Sequence, residues 1–131
     1  MGASRKIVEQ VFAALGEGDA RPLVSAMRDD VRWTVAGSAP WARTYDGRKA
    51  VVEELFATLS ARMAGRIRTI PERIVADGDV VVVEARGTNT TVDGEPYENR
   101  YCFVIRVEDG KLAEITEYMD TALVERVVLG G

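Results

Sequence analysis

Hydrophobic residues recur at helical spacing in the first half of the chain. After Ser4, a residue type that caps helices, one apolar side runs as far as Gly16 and comprises Ile7, Val8, Val11, Phe12 and Leu15. A second short helix is predicted after Asp19, and a third over residues 51–59, where apolar residues again line one side. The first half therefore predicts about three N-terminal helices, with a short strand over residues 31–35 before the third.

The second half of the chain changes to a period of two, which is typical of strands. Three Asp-Gly dipeptides punctuate it at residues 77–78, 93–94 and 109–110, 16 residues apart each time (93 − 77 and 109 − 93). Asp-Gly between such segments indicates a hairpin turn, because glycine accepts a positive φ. We therefore predict an antiparallel meander with strands of about 12 residues, long enough to twist and curl into a cone. Helices covering the concave side would enclose a cavity.

The turn at Asp93-Gly94 decides which side chains face that cavity. A two-residue turn sets Arg86 opposite Tyr101 and Glu84 opposite Phe103. One face of the hairpin would then carry Glu84, Arg86, Thr88, Asn99, Tyr101, Phe103 and Ile105.

The turn at Asp109-Gly110 decides where Glu117 points. A three-residue loop over residues 108–110 sets Tyr101 opposite Glu117 and groups Ile115 and Met119 with Phe103. A two-residue turn would move Glu117 to the other face. We favour the longer loop, which brings Glu84, Arg86 and Glu117 to one face.

Composition limits the functions open to the chain. Its 131 residues make one domain (1–131), with 47% apolar residues and 21 acidic against 17 basic residues. The net charge of −4 disfavours nucleic-acid binding, and no apolar run is long enough to span a membrane. Cys102 is the only cysteine and there is no histidine, which excludes an internal disulfide, histidine-based triads and histidine-ligated metal sites. We expect a cytoplasmic protein.

The order of its motifs resembles a known superfamily. These motifs are Gly18-Asp19, the strand with Trp33, the segment Asp46-Gly47-Arg48-Lys49-Ala50-Val51, and the pairs Asp109-Gly110 and Glu117-Tyr118. Over residues 4–128 they are similar to the nuclear transport factor 2-like superfamily, in particular its SnoaL-like branch. The resemblance implies an α+β, cystatin-like cone of curled antiparallel sheet packed on helices, in a homodimer. It does not settle function, since the superfamily holds ketosteroid isomerases, polyketide cyclases, limonene-type epoxide hydrolases and non-catalytic members.

Two activities can be compared with this sequence residue by residue. The general base of ketosteroid isomerases falls at Val35, their protonated aspartate near Phe103, and their tyrosine in a first helix that has none, so that mechanism is not expected. The arginine and two aspartates of limonene-type epoxide hydrolases fall at Glu84, Arg86 and Glu117, with the arginine and one acid exchanged.

We therefore expect a SnoaL-like enzyme that acts on a small, largely apolar oxygenated molecule without a metal or organic cofactor. Glu84 and Glu117 would divide the proton transfers, and Arg86 would orient them or stabilise an oxyanion. Candidate ligand contacts are Trp33, Tyr45, Thr88, Asn99, Tyr101, Phe103 and Met119. Two alternatives stay open: the Glu–Arg–Glu set is an ion-pair network on an outer face, or the chain is a non-catalytic binding or dimerisation module.

Overall fold

A computed structural model describes residues 2–129 of the chain. The N-terminal helices are α1 (Ala3–Gly16) and α2 (Arg21–Ala26). The third helix (48–62) is continuous and consists of α3 (Arg48–Ala50), wide π-type turns (Val51–Phe56) and α4 (Ala57–Arg62). The C-terminal helix (121–128) begins as α5 (Thr121–Leu123) and continues in π-type turns (Val124–Val128). The three predicted N-terminal helices are thus all present.

Within residues 2–129, eight strands accompany these helices. They are β1 (Met27–Val35), β2 (Thr44–Asp46), β3 (Thr69–Asp77), β4 (Val80–Gly87), β5 (Asn89–Thr90), β6 (Pro96–Tyr97), β7 (Arg100–Glu108) and β8 (Lys111–Met119). Six of them form a curled sheet in the order β2-β1-β8-β7-β4-β3, and β5 pairs with β6 beyond its edge. The α+β architecture is confirmed. The sheet is mixed, however, because β1 runs parallel to β8 while the other pairs are antiparallel.

The hairpin between β4 and β7 differs from the predicted register by one residue. Val83 pairs with Phe103 and Ala85 with Tyr101. The cause is a three-residue loop, 92–94, closed by a hydrogen bond from Thr91 N to Glu95 O of 2.8 Å, with Gly94 at φ +86°. A shift of one residue turns every side chain to the opposite face. Accordingly Val81, Val83 and Ala85 face the core, and Glu84 and Arg86 do not.

The hairpin between β7 and β8 reaches the predicted face by another route. Asp109 and Gly110 form a two-residue turn with φ of +51° and +76°, the turn expected to move Glu117 outward. A bulge near Val107 then shifts the pairing by one residue and leaves both Leu112 and Ala113 buried. Beyond the bulge Glu117 pairs with Phe103 and lies on the inner face, two residues from the predicted register.

The core fills the space between the inner face of the sheet and the helices. Helix α1 contributes Val8, Val11 and Phe12, each at most 3% exposed, and Val51 of the third helix is fully buried. A smaller cluster, Met63, Tyr97, Val124 and Val128, holds the C-terminal helix against the β5–β6 end. Each burial of a side chain of this size contributes about 1.5–3 kcal/mol. None of the helices within residues 2–129 has the length and apolar character needed to cross a membrane.

The outer face of the sheet carries a network of exposed ion pairs. Glu84 accepts from Arg73 at 2.7 Å, and Glu72 contacts both Arg86 at 3.3 Å and Arg100 at 2.9 Å. Exposed pairs of this kind stabilise a fold by only about 0–1 kcal/mol each.

Candidate functional site

A cavity of about 780 Å³ lies between the inner face of the sheet, the third helix and the C-terminal helix. Its lining is mainly apolar and includes Phe12, Leu23, Phe56, Phe103, Ile115 and Met119. The size is within the usual range of small-molecule pockets. Exposed charged side chains among the lining residues mark its rim: Arg43, Glu53, Glu54 and Arg66.

Glu117 is the acidic side chain on the inner wall of this cavity. It projects from β8 beside Phe103 of β7, and Val35 of β1 is its partner on the other side. Its carboxylate accepts one hydrogen bond, from Trp33 Nε1 at 2.9 Å. Burial raises the pKa of the Glu117 carboxyl to about 7, and the Trp33 hydrogen bond opposes that rise. The group is therefore divided between its acid and base forms near neutral pH.

Aromatic rings pack on Trp33 and Phe103, the two aromatic neighbours of Glu117. Trp33 meets Phe56 edge-on at 5.3 Å between centroids and Phe103 at 6.3 Å, and Phe12 packs on Phe103 at 5.2 Å. Tyr101 stacks on Phe103 at 5.6 Å. Such arrangements are favourable beyond simple burial. They make the surroundings of Glu117 apolar, and burial in such surroundings raises the pKa of its carboxyl.

A buried polar network forms the second polar feature of the cavity. Asn99, 1% exposed, donates from Nδ2 to Tyr97 Oη at 3.0 Å, and Tyr101 Oη lies 3.4 Å from Tyr97 Oη. Both tyrosines line the cavity. Burial raises the pKa of Tyr97 and of Tyr101 above its ordinary value, so both hydroxyls keep their protons at any physiological pH.

Tyr45 contributes its ring to the wall and its hydroxyl to the fold. The hydroxyl donates to the carbonyl oxygen of Trp41 at 2.8 Å, while the guanidinium of Arg43 lies 4.0 Å from the ring centroid. Arg43 also donates to Glu54 at 2.8 Å. The Tyr45 proton is thus already used in a hydrogen bond within the protein.

The predicted cluster of Glu84, Arg86 and Glu117 does not form. Glu84 and Arg86 lie on the outer face, with side chains 48% and 44% exposed, and each is paired with a neighbour on β3. The register prediction that joined them to Glu117 was wrong, because the 92–94 loop has three residues. The alternative interpretation, an ion-pair network on an outer face, describes Glu84 and Arg86 correctly.

The predicted ligand contacts divide in the same way. Five of the seven line the cavity: Trp33, Tyr45, Tyr101, Phe103 and Met119. Thr88 and Asn99 are not among the lining residues, although Asn99 donates a hydrogen bond to Tyr97, which does line the cavity. Sequence reasoning missed Tyr97, which would have been found by continuing the alternation of Asn99 and Tyr101 back to residue 97.

Comparison with protein families matches residues 8–115 to the SnoaL-like domain. The chain belongs to the SnoaL-like domain family. Within residues 2–129 of this SnoaL-like domain, no group of three or more acidic or cysteine side chains is placed to hold a metal ion. No curated protein matches the chain in a sequence search.

Solved structures resemble this SnoaL-like domain over nearly its whole length. A nuclear transport factor 2-like protein from Burkholderia xenovorans LB400 is 30% identical, covers 96% of this chain and 95% of its own, and has a TM-score of 0.74. TerC co-crystallized with polyporic acid is 21% identical, with 97% and 98% covered and a TM-score of 0.80. A protein from Jannaschia sp. CCS1, proposed to be a SnoaL-like polyketide cyclase, is 17% identical, with 98% and 93% covered and a TM-score of 0.79. The last two likenesses establish the fold alone.

Proposed function

We propose that this SnoaL-like domain is an acid–base enzyme of the isomerase or cyclase type, which moves a proton on a small, mainly apolar oxygenated molecule in the cavity. One observation carries the proposal. Glu117 is a carboxyl group on an apolar wall, and its pKa of about 7 suits both proton removal and proton return at neutral pH.

The surroundings of Glu117 favour a catalytic over a structural role. A structural carboxylate is normally paired with a cation or satisfied by several donors, since burying a charge is otherwise costly. Glu117 has one donor, the neutral indole of Trp33, and its other carboxylate oxygen has no hydrogen bond from residues 2–129. Perturbed acids of this kind in a cleft are typical of functional sites.

The outward position of Glu84 and Arg86 argues against epoxide opening as the reaction. The resemblance implies that epoxide opening needs two carboxylates and a guanidinium in one place. Here Glu84 and Arg86 lie on the outer face of the sheet and Glu117 lies on the inner face. A single carboxyl suits reactions in which one group removes a proton from carbon and later returns it. Isomerisation and aldol-type cyclisation are of that kind.

Relatives of the same fold support an oxygenated, ring-containing substrate. TerC was co-crystallized with polyporic acid, and the Jannaschia protein is proposed to be a polyketide cyclase. A cavity of about 780 Å³ with aromatic walls has room for a drug-sized molecule that contains rings. The homodimer and the cytoplasmic location remain predictions.

Exchange of carbon-bound protons tests the proposal without knowledge of the natural substrate. Wild type should accelerate exchange of the α-protons of 2-tetralone with D₂O, followed by NMR at neutral pD. Glu117→Gln should lower that rate about 10²–10⁴-fold, which is the usual contribution of a positioned acid–base group. Glu84→Gln, a matched change on the outer face, should leave the rate unchanged.

The same assay separates the proposal from its alternative. Equal exchange by wild type and Glu117→Gln would contradict the role of Glu117. Binding of 2-tetralone to wild type with no exchange above the buffer rate would indicate the non-catalytic binding module instead.

A further inference from the structure

Arg66 is a cation at the rim of the cavity that no anion of the chain balances. The other rim arginine, Arg43, donates to Glu54 at 2.8 Å and lies 4.0 Å from the ring centroid of Tyr45, so its charge is already engaged. Arg66 is exposed and lines the cavity, and no acidic group of residues 2–129 forms an ion pair with it. Because a guanidinium is always charged in proteins, this cation is available to a ligand.

The stem of Arg66 packs on the turn between α1 and α2. Gly18 lies in that turn at φ +83°, and a β-carbon built on it would lie 3.0 Å from Arg66 Cβ and 3.2 Å from Arg66 Cδ. Glycine both leaves room for the stem and accepts this backbone conformation. The contact restrains the arginine by packing alone. A restrained side chain loses less conformational entropy when a ligand binds to it.

A smaller open hollow, the vestibule, adjoins the cavity beside Arg66. It lies between the α1–α2 turn (17–20), α2 and Arg66. Gly18, Ala20 and Arg66 line both the vestibule and the cavity. The two spaces are therefore continuous, and a molecule in the cavity can extend one end into the vestibule.

The lining of the vestibule carries a net charge of +1, since Arg21 and Arg66 face one acid, Asp19 (2 − 1). Arg21 donates to Asp19 from Nε at 2.9 Å and from Nη2 at 3.0 Å, so these two charges cancel. The hydrogen bonds of Arg21 lower the pKa of the Asp19 carboxyl to about 2, and the charge of Arg66 contributes to that shift. The remaining positive charge of the vestibule is that of Arg66.

Another part of the rim has the opposite sign. Glu53 and Glu54 outnumber Arg43 there, which gives a net charge of −1 (1 − 2). An anionic group is thus repelled from this part of the rim and attracted to the vestibule. The planar N–H donors of a guanidinium match a carboxylate in both geometry and charge. A phosphate dianion would be neutralised only in part by a lining with a net charge of +1.

We propose that the vestibule binds a carboxylate of the ligand and that Arg66 is its anchor. The ligand class is then amphiphilic carboxylates, small molecules with an apolar body in the cavity and a carboxylate at one end. This inference deepens the proposed function and rests on it for the placement of the substrate in the cavity. Its test measures binding and does not involve proton transfer by Glu117.

Two probes of similar shape and different charge test the anchor. Binding of 2-naphthylacetate and of the neutral 2-naphthylacetamide is measured by isothermal titration calorimetry at pH 6, where Glu117 is mainly protonated and does not repel the acid. The acid-to-amide affinity ratio should fall about fivefold in Arg66→Gln, the upper range for an exposed ion pair. Arg66→Lys keeps the charge and should lose less.

Arg32→Gln is the matched control, because it removes the same charge from the outer face, where Arg32 pairs with Asp46 at 3.0 Å. Its affinity ratio should stay within twofold of wild type. Both arginines are exposed, so neither change should cost more than about 0.5 kcal/mol of stability. An Arg66→Gln ratio equal to that of wild type would overturn the proposal.

The salt dependence of wild type gives a test that needs no variant. Raising the NaCl concentration from 0.1 M to 1 M shortens the screening length from about 10 Å to about 3 Å, so the acid-to-amide ratio should fall toward that of Arg66→Gln. A ratio that does not change with salt, or no binding of the acid to wild type, would overturn the proposal. Failure of the anchor thus appears in the affinity ratio, whereas failure of the proposed function appears in the 2-tetralone exchange rate.

Discussion

Replacing Glu117 by glutamine should make the stability of the protein less dependent on pH. In wild type the folded-state pKa of this carboxyl is raised to about 7 from its ordinary value of 4.5. The folded protein therefore holds the proton more tightly than the unfolded chain. Its contribution to stability is fully present below pH 4.5 and is lost as the pH rises through 7. Glutamine has no such proton to lose, and its amide oxygen can still accept from Trp33.

The size of the effect follows from the burial of the carboxyl. The difference between 4.5 and about 7, at about 1.4 kcal/mol per pH unit, corresponds to about 3.5 kcal/mol. Water that enters the cavity lowers this figure, so it is an upper bound. In a chain of 131 residues it corresponds to roughly 10 °C in Tm.

Urea unfolding, followed by circular dichroism from pH 4.5 to pH 8.5, measures the effect. The free energy of unfolding of Glu117→Gln minus that of wild type should increase steadily over this range, by at most about 3.5 kcal/mol. Any constant cost of the substitution cancels in this comparison. Glu84→Gln, an exposed change, should differ from wild type by no more than about 0.5 kcal/mol at each pH. A flat difference for Glu117→Gln would refute the claim that its carboxyl is desolvated.

Three further changes probe the site and its support. Trp33→Phe removes the hydrogen-bond donor to the Glu117 carboxylate, so the pKa of Glu117 should rise further. The acid limb of the pH–rate profile for 2-tetralone exchange should therefore move to higher pH. Asn99→Ala loses four hydrogen bonds in a buried position and should destabilise the fold by about 2–4 kcal/mol in urea unfolding; a loss under 1 kcal/mol would contradict the network. Gly94→Ala places a β-carbon at φ +86° with no atom within 4 Å, so a melting curve should show a loss of about 1 kcal/mol from the backbone alone.

Much of the architecture could be predicted from the sequence because it depends on local signals. The spacing of Val8, Val11 and Phe12 indicates a helix whatever it packs against, and the Asp-Gly dipeptides do mark the turns of the meander. The parallel pairing of β1 with β8 could not be predicted in this way. It joins strands from the two ends of the chain, and no local sequence signal in either strand indicates which strand it pairs with.

The site was only half predictable because it depends on register. The sequence places Glu117 on the inner face because a three-residue loop groups Ile115 and Met119 with Phe103, and the bulge near Val107 preserves this grouping with a different turn. For Glu84 no such restraint existed, because either face of the β4 segment contains apolar residues. One extra residue in the 92–94 loop was enough to turn the Glu84 side chain from the inner to the outer face of the sheet.

The parallel pair of β1 and β8 also has a consequence for the order of folding. Its contact between Val35 and Glu117 spans 82 residues (117 − 35), whereas the hairpins of β3, β4, β7 and β8 close over short loops. Contacts of such long range form slowly, so the meander should assemble before β1 and its indole dock onto it. The cavity is then completed in the last step. A molecule bound in the cavity should accordingly slow unfolding and leave the refolding rate nearly unchanged.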